Sequence, residues 1–143
     1  MEKSSKKNLY PDSDFTLQDQ HKYEPRSDPI RVAIAGLGNC AAALVMGKEY
    51  YKNIRVDEAN INGLMNPSIA GYTYQNIEFV AAFDINTKKI GKDIGEAIYE
   101  EPNVVQSIIP KKTMPKVGGK VFAGPIMDGC AEHMQQSFHC YDP

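Results

Sequence analysis

Gly36 and Gly38, with Ala41 three positions on, stand directly after the apolar run Val32-Ala33-Ile34-Ala35. Residues of these types at this spacing suit a pyrophosphate. The first glycine lets the chain turn sharply at a strand end, and the second removes a side chain that would hold backbone away from phosphate. The small alanine lets the following helix pack closely on the strand. A helix beginning at Asn39 would aim its free N–H groups and partial positive charge at the same anion. Such glycines also occur in turns that bind nothing. The strand before them and the helix-forming stretch after them favour a dinucleotide site, with Gly36, Leu37, Gly38, Asn39, Cys40 and Ala41 as its phosphate turn.

An acidic residue at the tip of the next strand would complete this chemistry by accepting hydrogen bonds from the ribose hydroxyls. Its charge would also disfavour the extra phosphate of NADP. Asp84 closes the run Ile77-Glu78-Phe79-Val80-Ala81-Ala82-Phe83 and holds that place, so NAD is the expected cofactor. Asp84 lies 48 residues beyond Gly36, against a usual spacing of about 20. Residues 53–76, with Gly63, Asn66-Pro67 and Gly71, account for the excess as an excursion with short helical or extended pieces of its own. The competing role for Asp84 is to begin a turn and, with Asn86, help cap the next helix.

The elements that must position these residues are those of an α/β fold with a Rossmann-like parallel sheet. A strand over 30–35, apolar enough to be buried on both faces, passes into a helix over 39–51 that reads as buried, with little polar before Lys48. Ile90, Ile94, Ala97 and Ile98 recur at helical spacing, predicting an amphipathic helix over 87–100 with Lys88, Lys89 and Lys92 outward as solvated charge. A right-handed crossover would set the first two strands side by side and parallel. Lys120-Val121-Phe122-Ala123 reads as a third strand ended by Gly124-Pro125, and Asp128 as the cap of a last helix over 129–138. Residues 1–28 are polar without apolar period and read as a disordered tail, leaving 29–143 as a partial NAD-binding domain. Three strands leave a sheet edge and apolar surface uncovered, which predicts association.

Composition narrows the alternatives. The chain has 143 residues, 42% hydrophobic and 24% charged, with a formal net charge of -2. That is one soluble domain without the basic footprint of a nucleic-acid binder. No apolar run is long enough to cross a bilayer and no secretory signal opens the chain, so neither nucleic acid nor membrane is an expected partner and a cytoplasmic location is the default. Cys40, Cys130 and Cys140 are odd in number without a CxxC pair, which reads as reduced thiols. Cys130, His133, His139 and Cys140 do not match a zinc-finger spacing, so no metal site is expected.

The motifs together resemble a family. GLGNCAAALVMGKEYY at 36–51, GLM at 63–65, GYTYQNIEFVAAFDINTKKIGKDIGEAIY at 71–99 and GPIMDG at 124–129 are similar to the N-terminal part of the inositol-3-phosphate synthases, in their shorter bacterial and archaeal form. The resemblance covers about residues 30–134, and the long spacing to the acidic residue is itself a family trait. It implies conversion of glucose 6-phosphate to inositol 3-phosphate with NAD as a recycled redox reagent: oxidation at C5, aldol closure of C6 on the C1 aldehyde, and return of the hydride. It also implies a homo-oligomer, a tetramer in the complete enzyme. On this resemblance Gly36, Gly38, Asn39, Cys40 and Ala41 form the phosphate turn, Asp84 holds the ribose, and Asp128-Gly129 is given no role. The family's catalytic lysines lie further along than Pro143, so no catalytic residue is assigned here, and residues 135–143 depart from the family pattern.

Overall fold

A computed structural model of the chain describes residues 24–52, 54, 63–127, 130–133 and 139–141. Strand β1, Ile30–Ala35, leads into helix α1, Asn39–Tyr51, as the apolar run and the alanine-rich stretch after it dictate. The excursion then supplies a two-stranded antiparallel hairpin, β2 Ser68–Ile69 and β3 Tyr72–Thr73, turned at Ala70-Gly71, and a short 3-10 turn over Tyr74–Asn76. Thr73 and Asn76 close that turn reciprocally. The Thr73 hydroxyl accepts from the Gln75 N–H, and Asn76 Oδ1 accepts from the Thr73 N–H. Asn76 also donates to the Arg26 and Asp28 carbonyls, so the chain is anchored from Arg26 rather than from Ile30. Residues 1–23 of the expected tail lie outside the described residues.

Strand β4, Ile77–Asp84, lies between β1 and β5, Lys120–Ala123, in one parallel sheet. The β1–β4 register slips between Val32 and Ala33, leaving Val80 as the extra residue. A bulge of this kind breaks the two-residue alternation. Phe79 and Ala82 therefore sit in one core, with Ile34, Leu37, Val45 and Val121, although they are three residues apart.

Two expectations about burial are corrected. The strand predicted to be covered on both faces is covered on one: of β1 only Ile34 is buried, and Phe83 and Phe122 stay 41% and 47% exposed with their rings 5.9 Å apart. Helix α1 is likewise one-sided. Ala42, Val45 and Met46 form its buried stripe at helical spacing, whereas Leu44 is 51% exposed.

The helix predicted over 87–100 is also corrected. Only Ile94–Ala97 is helical, labelled α2, and residues 85–92 are a succession of turns. Gly91 has φ +86°, which an α-helix does not contain, and residues 91–94 instead lie along the outer edge of β5. Gly91 donates to the Val121 carbonyl, Val121 donates back to Lys92, and Ile94 donates to Gly119. Asp93 then caps α2 through Gly95 and accepts from Val117 and Gly118, tying the entry of β5 to the same point. The β5 edge of the sheet is thus paired beside Val121, and β1 is the strand at the other edge.

Cys130 and Cys140 are joined as a disulfide, with their Cα atoms 6.5 Å apart, so the reading of three reduced thiols holds only for Cys40. The helix expected over 129–138, with Asp128 and Gly129, falls largely outside the described residues; Glu132 and His133 form part of a 3-10 turn. Among the described residues no helix is long and apolar enough to cross a membrane.

Candidate functional site

The glycine turn lies where β1 ends. Gly36 continues the ladder by donating to the Phe83 carbonyl at 2.8 Å and adopts φ +83°, a conformation that favours glycine. Gly38 is the N-cap of α1, with φ −85° and ψ −162°, and a methyl group placed on it would meet nothing within 4 Å. The first α-helical bond runs from Ala42 to the Gly38 carbonyl, so the N–H groups of Asn39, Cys40 and Ala41 have no acceptor inside the helix. Asn39 and Cys40 are exposed, and Ala41 packs on the core.

Leu37 divides its roles between side chain and backbone. Its side chain is fully buried, while its N–H donates to Asp84 Oδ2 at 2.8 Å across 47 residues of chain. The structure thus brings the two halves of the expected site, the glycine turn and the acidic tip of β4, into direct contact. The turn role of Asp84 is present as well. Its Oδ1 accepts from the Asn86 N–H at 2.8 Å, and Asn86 in turn accepts from Lys88, though in turns rather than at a helix start. The Asp84 side chain is 9% exposed.

Lys89, expected outward, is the residue that sequence reasoning placed wrongly. Its side chain is 3% exposed, and Nζ donates to the Leu37 carbonyl at 2.8 Å and to Asn103 Oδ1 at 3.0 Å, with Asp84 Oδ2 at 3.7 Å. Burial holds its pKa below that of a free lysine, while the charge of Asp84 opposes the shift. Asn103 was missed altogether. Its amide donates to the Leu37 and Ile98 carbonyls, and the neighbouring Val104 and Val105 N–H groups donate to Asn39 Oδ1. Residues 103–105 are thereby laced to both sides of the glycine turn. A usable signal was present: Gly91 stands two residues after Lys89 and makes a helix through that position costly.

A parallel α/β sheet whose first strand ends in a glycine turn, with a helix N-terminus behind it and a carboxylate at the next strand tip, defines the Rossmann-like class. No family model matches the chain. The chain is 42% identical over 104 residues to inositol-3-phosphate synthase of Corynebacterium glutamicum, covering 73% of this chain and 28% of that one. It is 37% identical over 113 residues to the enzyme of that name from Mycolicibacterium smegmatis, covering 79% and 30%. With that of Mycobacterium tuberculosis it shares 35% over 119 residues, covering 81% and 30%. The crystal structure of Ari2 superimposes with a TM-score of 0.61 at 35% identity, over 69% of this chain and 29% of that one. The chain is thus homologous to part of the inositol-3-phosphate synthases, as its motifs imply, and spans less than a third of their length.

Proposed function

We propose that this chain is the NAD-binding part of an inositol-3-phosphate synthase, a cytoplasmic isomerase that converts glucose 6-phosphate to 1D-myo-inositol 3-phosphate by internal oxidation, aldol cyclisation and reduction. The observation that carries this reading is the Leu37–Asp84 hydrogen bond, which joins a glycine turn and an acidic strand tip in a chain 35–42% identical to synthases of that name.

The residues present fit the cofactor. Space is open over Gly38, the first N–H groups of α1 lack acceptors in the helix, and Asp84 Oδ1 keeps a lone pair after its bond to the Asn86 N–H. NAD, when bound, would supply the hydride acceptor and donor of the internal redox cycle. The work of this chain is binding and orientation: the turn from Gly36 to Ala41 would hold pyrophosphate, and Asp84 would accept from the ribose hydroxyls. The sugar phosphate and the proton transfers are left to residues outside those described.

Calorimetric titration of the chain with NAD, with NADP as control, tests the reading. Binding of NAD and much weaker binding of NADP is the expected result; no heat with either would sink it. The lack of any assigned catalytic residue among the described ones motivates a second reading, an NAD-binding module without catalysis. Formation of inositol phosphate from glucose 6-phosphate and NAD by the intact gene product would separate the two.

A further inference from the structure

Lys89 poses a physical question that the cofactor reading does not answer. Burying an ammonium is costly, and an apolar residue of similar size commonly serves a scaffold as well or better. The group it touches points to an answer. Leu37 is held at both ends, its N–H by Asp84 at 2.8 Å and its carbonyl by Lys89 at 2.8 Å and Asn103 at 3.2 Å. The Leu37 carbonyl belongs to the same peptide plane as the Gly38 N–H. In a trans peptide these two point in opposite directions. A carbonyl drawn toward a buried ammonium therefore turns the Gly38 N–H away from it, and Gly38 is exposed.

We infer that Lys89 is a positioning residue of the dinucleotide site: by pinning the Leu37 carbonyl against the interior, it aims the Gly38 N–H at the pyrophosphate. Lys89 touches no ligand itself and acts through the Leu37–Gly38 peptide. Asn103 is its partner, accepting from Nζ and donating to the same carbonyl. The contact of Nζ with Asp84 Oδ2, at 3.7 Å, is longer than its hydrogen bonds to Leu37 and Asn103, so the grip of the ammonium falls on the pyrophosphate side.

This inference rests on the dinucleotide reading, and its test keeps the two apart. NAD, ADP and adenosine are titrated calorimetrically into the wild-type chain and Lys89→Met, with thermal melting followed in parallel. The expected result is that NAD and ADP, which carry a pyrophosphate, bind about tenfold more weakly to the variant while adenosine is unchanged. A residue that only props up the fold would weaken all three together or none, and either pattern overturns the inference. Wild-type protein that binds NAD while Lys89→Met binds it equally well overturns this inference alone; wild type that binds no NAD overturns both. Should Lys89→Met melt below the assay temperature, Asn103→Ser replaces it. It removes one acceptor from Nζ and one donor from the Leu37 carbonyl at a half-buried position, and a several-fold loss for NAD but not adenosine is expected. Equal affinities would count against the pinning.

Discussion

Gly38→Ala separates a cofactor site from an ordinary strand-to-helix turn. In the free protein Gly38 has negative φ and extended ψ, and a Cβ there meets nothing within 4 Å, so alanine fits without strain. The loss should be confined to the N-cap preference for glycine over alanine, about 0.5–1 kcal/mol. For a domain of this size that lowers Tm by about 2–6 °C. Bound pyrophosphate changes the account, because the added methyl would occupy the space through which phosphate oxygens reach the backbone. Forcing a methyl into a filled contact costs about 1–3 kcal/mol, a loss of about 5- to 150-fold in NAD affinity. The assay is calorimetric titration alongside a melting curve on the same sample. Gly36→Ala is the contrasting control, since φ +83° makes alanine costly whether or not anything binds. The reasoning fails if Gly38→Ala binds NAD as tightly as wild type, or if it unfolds as severely as a core mutation.

Further outcomes follow from neighbouring groups. Asp84→Asn removes the charge facing Lys89 and should cost about 1–3 kcal/mol in urea denaturation, while narrowing the preference for NAD over NADP in titration. The pKa of Lys89 is held low by burial, so as pH rises through its folded value toward the ordinary lysine value of 10.5 the unfolded chain holds more protons than the folded one. Stability should therefore gain with pH in that alkaline window relative to Lys89→Met, and parallel curves for the two proteins would refute this. Glu100 is held below the usual carboxylate range by its hydrogen bond to Lys92 and by Lys111. That contribution, about 0.5–1 kcal/mol for a partly exposed network, is complete above pH 4.5 and lost as pH falls through the folded value; Glu100→Gln should flatten the acid limb of a pH–stability curve. Gly119→Ala would set its Cβ 2.6 Å from the Phe79 carbonyl and 2.6 Å from Ile94, and a loss of about 1–3 kcal/mol in denaturant midpoints is expected.

Local chemistry made much of the fold legible. β1, α1, β4 and β5 lie where apolar runs, glycines and the Gly124-Pro125 stop place them, because each is specified by residues within a few positions of itself. The excursion was legible as an insertion, and its hairpin was not, since Ser68–Ile69 and Tyr72–Thr73 are too short to show a period. The segment after β4 failed for a tertiary reason. Ile90, Ile94, Ala97 and Ile98 do have helical spacing, but pairing with β5 satisfies the backbone of 91–94, and Gly91 removes the penalty for leaving the helix. Burial on two faces was misjudged because an apolar strand reads the same whether one or both of its faces are covered.

The site shows the same division at closer range. The glycine turn and Asp84 could be read because a sharp strand-to-helix turn and an acidic strand tip are set by residue type within a few positions, and the contact between them follows once β1 and β4 run parallel in register. Lys89 could not be read, because a lysine in a polar run is solvated by default and only the path of the chain puts it inside. That path depends on the failed helix: a helix over 87–100 would continue past Lys89, whereas turns ending at Gly91 let the chain double back to β5 and leave the ammonium beneath Leu37. The two misreadings are therefore one. The break at Gly91 that spoiled the helix is what places a cation behind the glycine turn, so loop geometry here belongs to the candidate site as much as to the sheet.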